Sequence, residues 1–243
     1  MNNYPFKTSP DDTAALGLVV LQSDETIEAD FRAMLPDNTH LYVSRVPSAL
    51  DVSSETLQQM AAHLTGAASL FPAPVTFDAI GYGCTSGTAQ IGAGQIASLV
   101  QAGAKTRIVT EPVSALIAAC AALSVKRLAL LSPYVAEVSG VLRRVLDHEG
   151  IPTPIFGSFN EAEEAKVVRI DAESIVSAAR DLVTKGDVDA VFLSCTNLRT
   201  FGLIEELEAD IGMPVLSSNQ VLGWHMGQCA GVRMTGPGKL FSA

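Results

Sequence analysis

Residues 81-GYGCTSGTAQIG-92 decide how this chain is read. The run before them, 75-VTFDAIG-81, has the apolar character of a strand, and a helical pattern follows them to about Ala102. A glycine-rich strand-to-helix turn can cradle a phosphate, yet Cys84 stands at its centre, where a nucleophile or proton-transfer group would be placed.

Outward from this turn, strand patterns recur at 16–21, 40–46, 76–82, 106–111, 127–132, 153–159, 189–195 and 214–218. Helical patterns lie between and after them at 25–35, 53–69, 87–102, 112–123, 135–149, 171–185, 200–211 and 219–229. Strict alternation of this kind predicts an α/β fold of parallel sheets covered by helices on both faces, with ligands at the carboxyl ends of the strands. The strands also repeat: Leu21 to Leu131 is a step of 110, and Val43 to Pro154 and Cys84 to Cys195 are steps of 111. The expected architecture is therefore two similar Rossmann-like (flavodoxin-like) halves about a pseudo-two-fold axis, 1–113 with 219–243 forming one and 114–218 the other. Strand ends of the two halves then face each other across a cleft.

The 243 residues are 48% hydrophobic and 17% charged, enough for a sizeable core without staples. A net charge of −10 argues against nucleic-acid and anionic-membrane partners, which would be repelled at long range. The start, MNNYPFKTSPDD, is polar and gives no signal or transit pattern. The most apolar run, 115-ALIAACAALSV-125, is too short to span a bilayer. Four cysteines without CxxC spacing read as reduced thiols, so a cytoplasmic location is expected. Apolar helices suit a homo-oligomer, a dimer or higher.

The two cysteine turns, 84-CTSGT-88 and 195-CTNLRT-200, each follow an apolar strand and a small residue, Gly83 or Ser194. A thiol at such a place sits near a helix amino terminus, so both cysteines are expected to have lowered pKa values. Thr85, Ser86, Thr88, Thr196 and Asn197 supply small polar groups for capping or for holding a carboxylate. Two thiols facing one substrate carbon can add or remove a proton on one side and deliver one on the other, with no metal or cofactor. Inert buried thiols are the bland alternative, and Cys120 and Cys229 on alanine-rich helices fit it. A dinucleotide fingerprint competes for the first turn, with Glu111 as its ribose acid, but Ser86 stands where the third glycine belongs. Scattered histidines give no zinc pattern, and no G-x-S-x-G elbow occurs.

With G-x-G-C-T-S-G after one strand and C-T-N after its repeat, the chain resembles the aspartate/glutamate racemase superfamily, and within it the maleate cis-trans isomerases and their arylmalonate-decarboxylase-like relatives. The resemblance implies two α/β halves, an active site between them and no cofactor. It implies Cys84 as a nucleophile that adds to a substrate double bond, Cys195 as its proton partner, and Tyr134 and Asn160 as carboxylate ligands. Decarboxylases of this group keep one of the two cysteines, so retaining both argues against decarboxylation. One departure stands out. Where maleate isomerases carry an asparagine in the first strand-end loop, this chain has Asp24, in 22-QSDET-26. Asp24 would repel a dicarboxylate unless protonated and would pair with an ammonium group; equally, it reads as a helix cap.

Several residues remain ambiguous on the sequence. His225 and Trp224 read as structural, Arg45 as a carboxylate clamp or a surface charge, and 161-EAEEAK-166 as a mobile lid or a solvated loop. The expectation is a cofactor-independent, two-cysteine isomerase of a small carboxylate, of the maleate cis-trans isomerase kind. An amino-acid racemase or epimerase, a non-catalytic carboxylate-binding module and a dinucleotide-binding enzyme are the alternatives.

Overall fold

A computed structural model describes residues 1–9 and 13–242. Its strands are β1 (Ala14–Leu21), β2 (Thr39–Val46), β3 (Ala79–Gly83), β4 (Val109–Thr110), β5 (Leu128–Tyr134), β6 (Ile155–Glu161), β7 (Ala190–Leu193) and β8 (Val215–Ser217). The helices are α1 (Ile27–Met34), α2 (Ser54–Gln59), α3 (Ala61–Ala68), α4 (Thr85–Ile91), α5 (Ala93–Gly103), α6 (Pro112–Ala122), α7 (Ala136–His148), α8 (Glu164–Val167), α9 (Ala172–Val183), α10 (Ile204–Ile211) and α11 (Ser218–Ala230).

The strands form two four-stranded parallel sheets ordered β2-β1-β3-β4 and β6-β5-β7-β8. The second order repeats the first, so the expected α/β fold of two similar halves is what the chain adopts. Hydrophobic pattern explains the order. Strands β3, β5 and β7 are buried along their whole length and β1 nearly so, whereas the long edge strands β2 and β6 are largely half-buried or exposed and the short edge strand β8 is buried. Continuous apolar runs must lie inside a helix-covered parallel sheet, and partly polar ones belong at its edge. In each half, chain direction along the sheet reverses beside the first strand. The crevices at the ends of β1 and β3 and of β5 and β7 are therefore the natural ligand sites. Among the described residues no helix is long and apolar enough to cross a membrane.

The helical pattern at 53–69 divides at Met60 into α2 and α3, and that at 87–102 starts earlier, at Thr85. Gly92, at φ 95°, separates α4 from α5 in a backbone region that side chains disfavour. The glycines of GYGCTSG act differently, since none of Gly81, Gly83 and Gly87 has positive φ. Each marks a close approach. A Cβ on Gly81 would collide with Met226 Sδ of α11, one on Gly83 would lie 2.7 Å from Ile27 Cδ1 of α1, and one on Gly87 would lie 2.8 Å from Cys84 Sγ. The motif lets two helices press on β3 and leaves room for the thiol.

Gly81→Ala is expected to destabilise the fold by about 1–3 kcal/mol through overpacking against Met226, read from urea unfolding midpoints at unchanged m-value. A neutral result would show that α11 does not press on β3.

Candidate active site

Cys84 and Cys195 line one pocket at the facing strand ends, together with Asp24, Thr85, Ser86, Tyr134, Glu164, Thr196 and Asn197. The void between them offers only about 10 Å³ to the centres of water molecules, room for about one water. Side chains fill the rest. Cys84 is the N-cap of α4, and its sulfur accepts a hydrogen bond from Gly87 N at 3.2 Å. Cys195 follows β7 with φ at 153°, a conformation rare for a residue with a side chain. Its N–H donates to Ser218 Oγ (3.0 Å) and its sulfur accepts from Asn197 N (3.3 Å). The two turns are only partly equivalent. The first enters α4 directly, whereas the second passes through an irregular stretch and a 3-10 turn, Phe201–Leu203, before α10.

The start of α11 ties the turns together. Ser218 Oγ accepts from Thr85 Oγ1 (2.7 Å) as well as from Cys195 N, so one buried hydroxyl touches both halves. Next to it, Asn219 Nδ2 donates to Thr196 O and to Asp30 Oδ2. Thr196 Oγ1 reaches back to Gly83 O at 3.3 Å. Asn197 accepts from Glu25 N through Oδ1 (2.9 Å), and its backbone carbonyl accepts from Thr26 Oγ1 (3.0 Å).

A second chain of hydrogen bonds runs behind Cys195. Tyr134 Oη donates to Glu164 Oε1 at 2.6 Å and lies 3.1 Å from Cys195 Sγ. Because the phenol has one proton, given to Glu164, the thiol donates to the phenol oxygen. Glu164 Oε2 accepts from Asn197 Nδ2 at 2.7 Å. The pocket therefore already holds a carboxylate between a tyrosine and an asparagine, presented by the short helix α8. That helix is fastened to the 50–52 loop by Glu164 N to Leu50 O and Val52 N to Ala162 O.

Burial dominates the electrostatics. It pushes the Cys84 thiol up to about 12 despite the Gly87 N–H, and the Glu164 and Asp24 carboxyls add to the rise. Cys195 is pushed well up by burial first and by Glu164 next. The expected lowering is thus reversed: desolvation of a fully enclosed sulfur outweighs one amide. Burial likewise raises Glu164, against its bonds from Tyr134 and Asn197. Asp24 is pushed up to about 6 by burial, although the Ile27 and Thr26 amides pull it down. Its Oδ1 accepts from both amides at 2.8 Å, capping the start of α1 from two residues before the N-cap residue Thr26, while Oδ2 has no hydrogen-bond partner.

Of the residues singled out on the sequence, Cys84, Cys195, Asp24, Tyr134, Thr85, Ser86, Thr196 and Asn197 meet at this pocket. Asn160 does not line it; it is exposed at the end of β6 with φ 56°. Glu164 and Ser218 were not singled out. Nothing in 161-EAEEAK-166 separates the buried Glu164 from its exposed or half-buried neighbours, and Ser218 looks like an ordinary cap residue in SSNQ. Arg45 donates to the carbonyls of Leu21, Gln22 and Asp24 and pairs with Glu28, holding the loop after β1. His225 Nδ1 meets Thr110 Oγ1 at 2.8 Å, away from the pocket. Among the described residues no group of three or more His, Cys, Asp or Glu could hold a metal ion.

Comparison with known proteins fits this arrangement. A family model described as arylmalonate decarboxylase matches residues 103–241. A maleate isomerase from Nocardia farcinica is 28% identical over 214 residues, covering 84% of each chain. An arylmalonate decarboxylase from Bordetella bronchiseptica is 31% identical over 111 residues, 45% of this chain and 46% of that one. Among solved structures, a cysteine-to-serine mutant of the Nocardia farcinica maleate cis-trans isomerase, with a covalently bound succinylcysteine intermediate, superposes with a TM-score of 0.83. It is 25% identical, with 94% of this chain and 98% of that chain covered.

Two outcomes are expected from this geometry. Ser218→Ala leaves Cys195 N and Thr85 Oγ1 buried without an acceptor and should cost about 1–3 kcal/mol in denaturant unfolding; an unchanged midpoint would remove Ser218 as the tie. For Asp24, the folded carboxyl at about 6 lies above its ordinary 3.8. Its contribution to stability is full below pH 4 and is lost as pH rises through 6. Asp24→Asn keeps a capping side chain, so the variant should lose up to about 3 kcal/mol less stability than the parent between pH 4 and pH 8. Parallel pH profiles for the two would contradict this.

Proposed function

Because the chain belongs to the arylmalonate decarboxylase family, we propose that it uses the two thiols of its central pocket as a maleate cis-trans isomerase does, on a small cis-enoate. The observation that carries the reading is the presence of Cys84 and Cys195 in the wall of one pocket. Retention of both thiols favours isomerisation over decarboxylation. The covalent succinylcysteine of the Nocardia farcinica enzyme supports a thiol adduct as the intermediate.

The chemistry closes on itself. Cys84, as thiolate, forms a bond from Sγ to one alkene carbon; the π electrons move to the other carbon, which takes the proton of Cys195. The carbon–carbon bond is then single and rotates. Cys195 thiolate removes a proton from the same carbon, the double bond re-forms in the trans arrangement, and the Sγ–carbon bond breaks to return Cys84 thiolate. No atom is gained or lost, and no electron acceptor is needed.

Local structure suits these roles. Asn197 N–H and Tyr134 Oη contact Cys195 sulfur and can follow its change of charge. Gly87 N–H does the same for Cys84. Burial raises both thiols most and Glu164 adds to the rise, while the Glu164 carboxylate itself occupies Tyr134 and Asn197. A substrate carboxylate fits the place it leaves.

Cys84→Ser and Cys195→Ser should each lower the turnover of maleate or another cis-enoate by about 10³-fold or more, followed by proton NMR. Intact-mass spectrometry of Cys195→Ser with substrate should reveal an adduct on Cys84. Full turnover by either serine variant would exclude the two-thiol mechanism.

A further inference from the structure

Asp24 is 4% exposed and lines the thiol pocket; Oδ1 accepts the amides at the start of α1, while Oδ2 is buried with no hydrogen-bond partner, the neighbouring Thr196 hydroxyl being given to Gly83 O. A buried carboxylate oxygen left in this way is costly, and a ligand group that donates a hydrogen bond to it recovers that cost. The surroundings decide what kind of donor. No Lys, Arg or His lines the pocket, and a second carboxyl, Glu164, does. The nearby cations are engaged elsewhere. Arg45 is held by Glu28 and by loop carbonyls, and Arg169 and Arg199 pair with Glu25 on the outer side. The other titratable groups around Asp24, namely Glu164, Asp30, Cys84 and Cys195, are neutral or negative.

A dianionic substrate entering this pocket would bring two charges to a site that offers acids and no cation. One carboxylate has a place, between Tyr134 and Asn197, where the side chain of Glu164 now lies. Asp24 lines the same pocket with Oδ2 unbonded. We propose that Asp24 is a specificity-determining residue, selecting a substrate with one carboxylate and, across the reacting carbons, an N–H donor such as a primary amide or ammonium group in place of a second carboxylate. The proposal rests on the isomerase reading of the same pocket and narrows its substrate to a cis-enoate of mixed ends. The N–H group donates to Asp24 Oδ2, and the thiol chemistry at the double bond is unchanged.

The test separates recognition from chemistry. Succinamate (one carboxylate, one primary amide) and succinate (two carboxylates) lack the double bond and cannot be isomerised, so their binding at pH 8 is measured by calorimetry on the wild type and on Asp24→Asn. The wild type is expected to bind succinamate at least tenfold more tightly than succinate. In Asp24→Asn, whose amide can donate to a carboxylate and still cap α1, that ratio should fall at least tenfold or invert. Circular dichroism checks that the variant is folded, and a structural defect alone would weaken both ligands without moving their ratio. Equal or tighter binding of succinate by the wild type, a ratio untouched by the substitution, or no binding of either compound at millimolar concentration would overturn the proposal. Maleamate and maleate are then compared as substrates. Selective binding of succinamate without any Cys84-dependent isomerisation of either would uphold the role of Asp24 and reject the isomerase reading instead.

Discussion

One serine hydroxyl holds the two halves of the site in register. Ser218 Oγ receives the Thr85 hydroxyl from one cysteine turn and the Cys195 amide from the other, at a point where no water competes. Because Cys195 has an unusual φ, its amide direction is not set by a sheet ladder and needs this acceptor. Asn219 continues the stitch to Thr196 and Asp30, so the helix that returns to the first sheet also fixes the end of the second. A pseudo-symmetric protein gains a common site only if its halves meet at a defined angle, and these short buried bonds define it.

The second constraint is the shortage of positive charge within the pocket. A conventional carboxylate site would place arginine or lysine at the strand ends. Here the polar walls are amides, hydroxyls, thiols and acids, and all of them are desolvated. Burial above all holds the two acids and two thiols towards their protonated forms, and Glu164 adds to the rise at Asp24 and at both thiols. Charge must come with the ligand or be exchanged for it. This distinguishes the site from one where a helix end alone generates a thiolate, and it explains why the expected lowering of the cysteine pKa values fails.

Much of the architecture was readable in the chain because parallel strands buried on both faces must be continuous apolar runs. The stretches 16–21, 127–132 and 189–195 could hardly be anything else. The repeat of a cysteine followed by threonine located the site, since both stand at the end of an internal strand in equivalent sheets. What stayed hidden depends on tertiary placement. Glu164 looks like its neighbours until α8 folds inward, and Asn160, expected as a carboxylate ligand from the family resemblance, is exposed near the end of β6. Asp24 was undecidable between cap and ligand because its two oxygens differ: one accepts the amides at the start of α1, and the other is buried without a partner.

The hold of Tyr134 and Asn197 on Glu164 has a consequence for measured affinity. An acid tethered to its own binding site is an intramolecular competitor, present at an effective concentration that no dilution reduces. On the proposed reading a ligand carboxylate would bind only against this occupant, and its apparent dissociation constant would be the intrinsic one divided by the fraction of molecules in which Glu164 has left its donors. The same tether would quicken departure, with the returning side chain refilling the donors as product leaves. Weak binding and rapid turnover would then share one origin, a protein that keeps a copy of its ligand's functional group within reach.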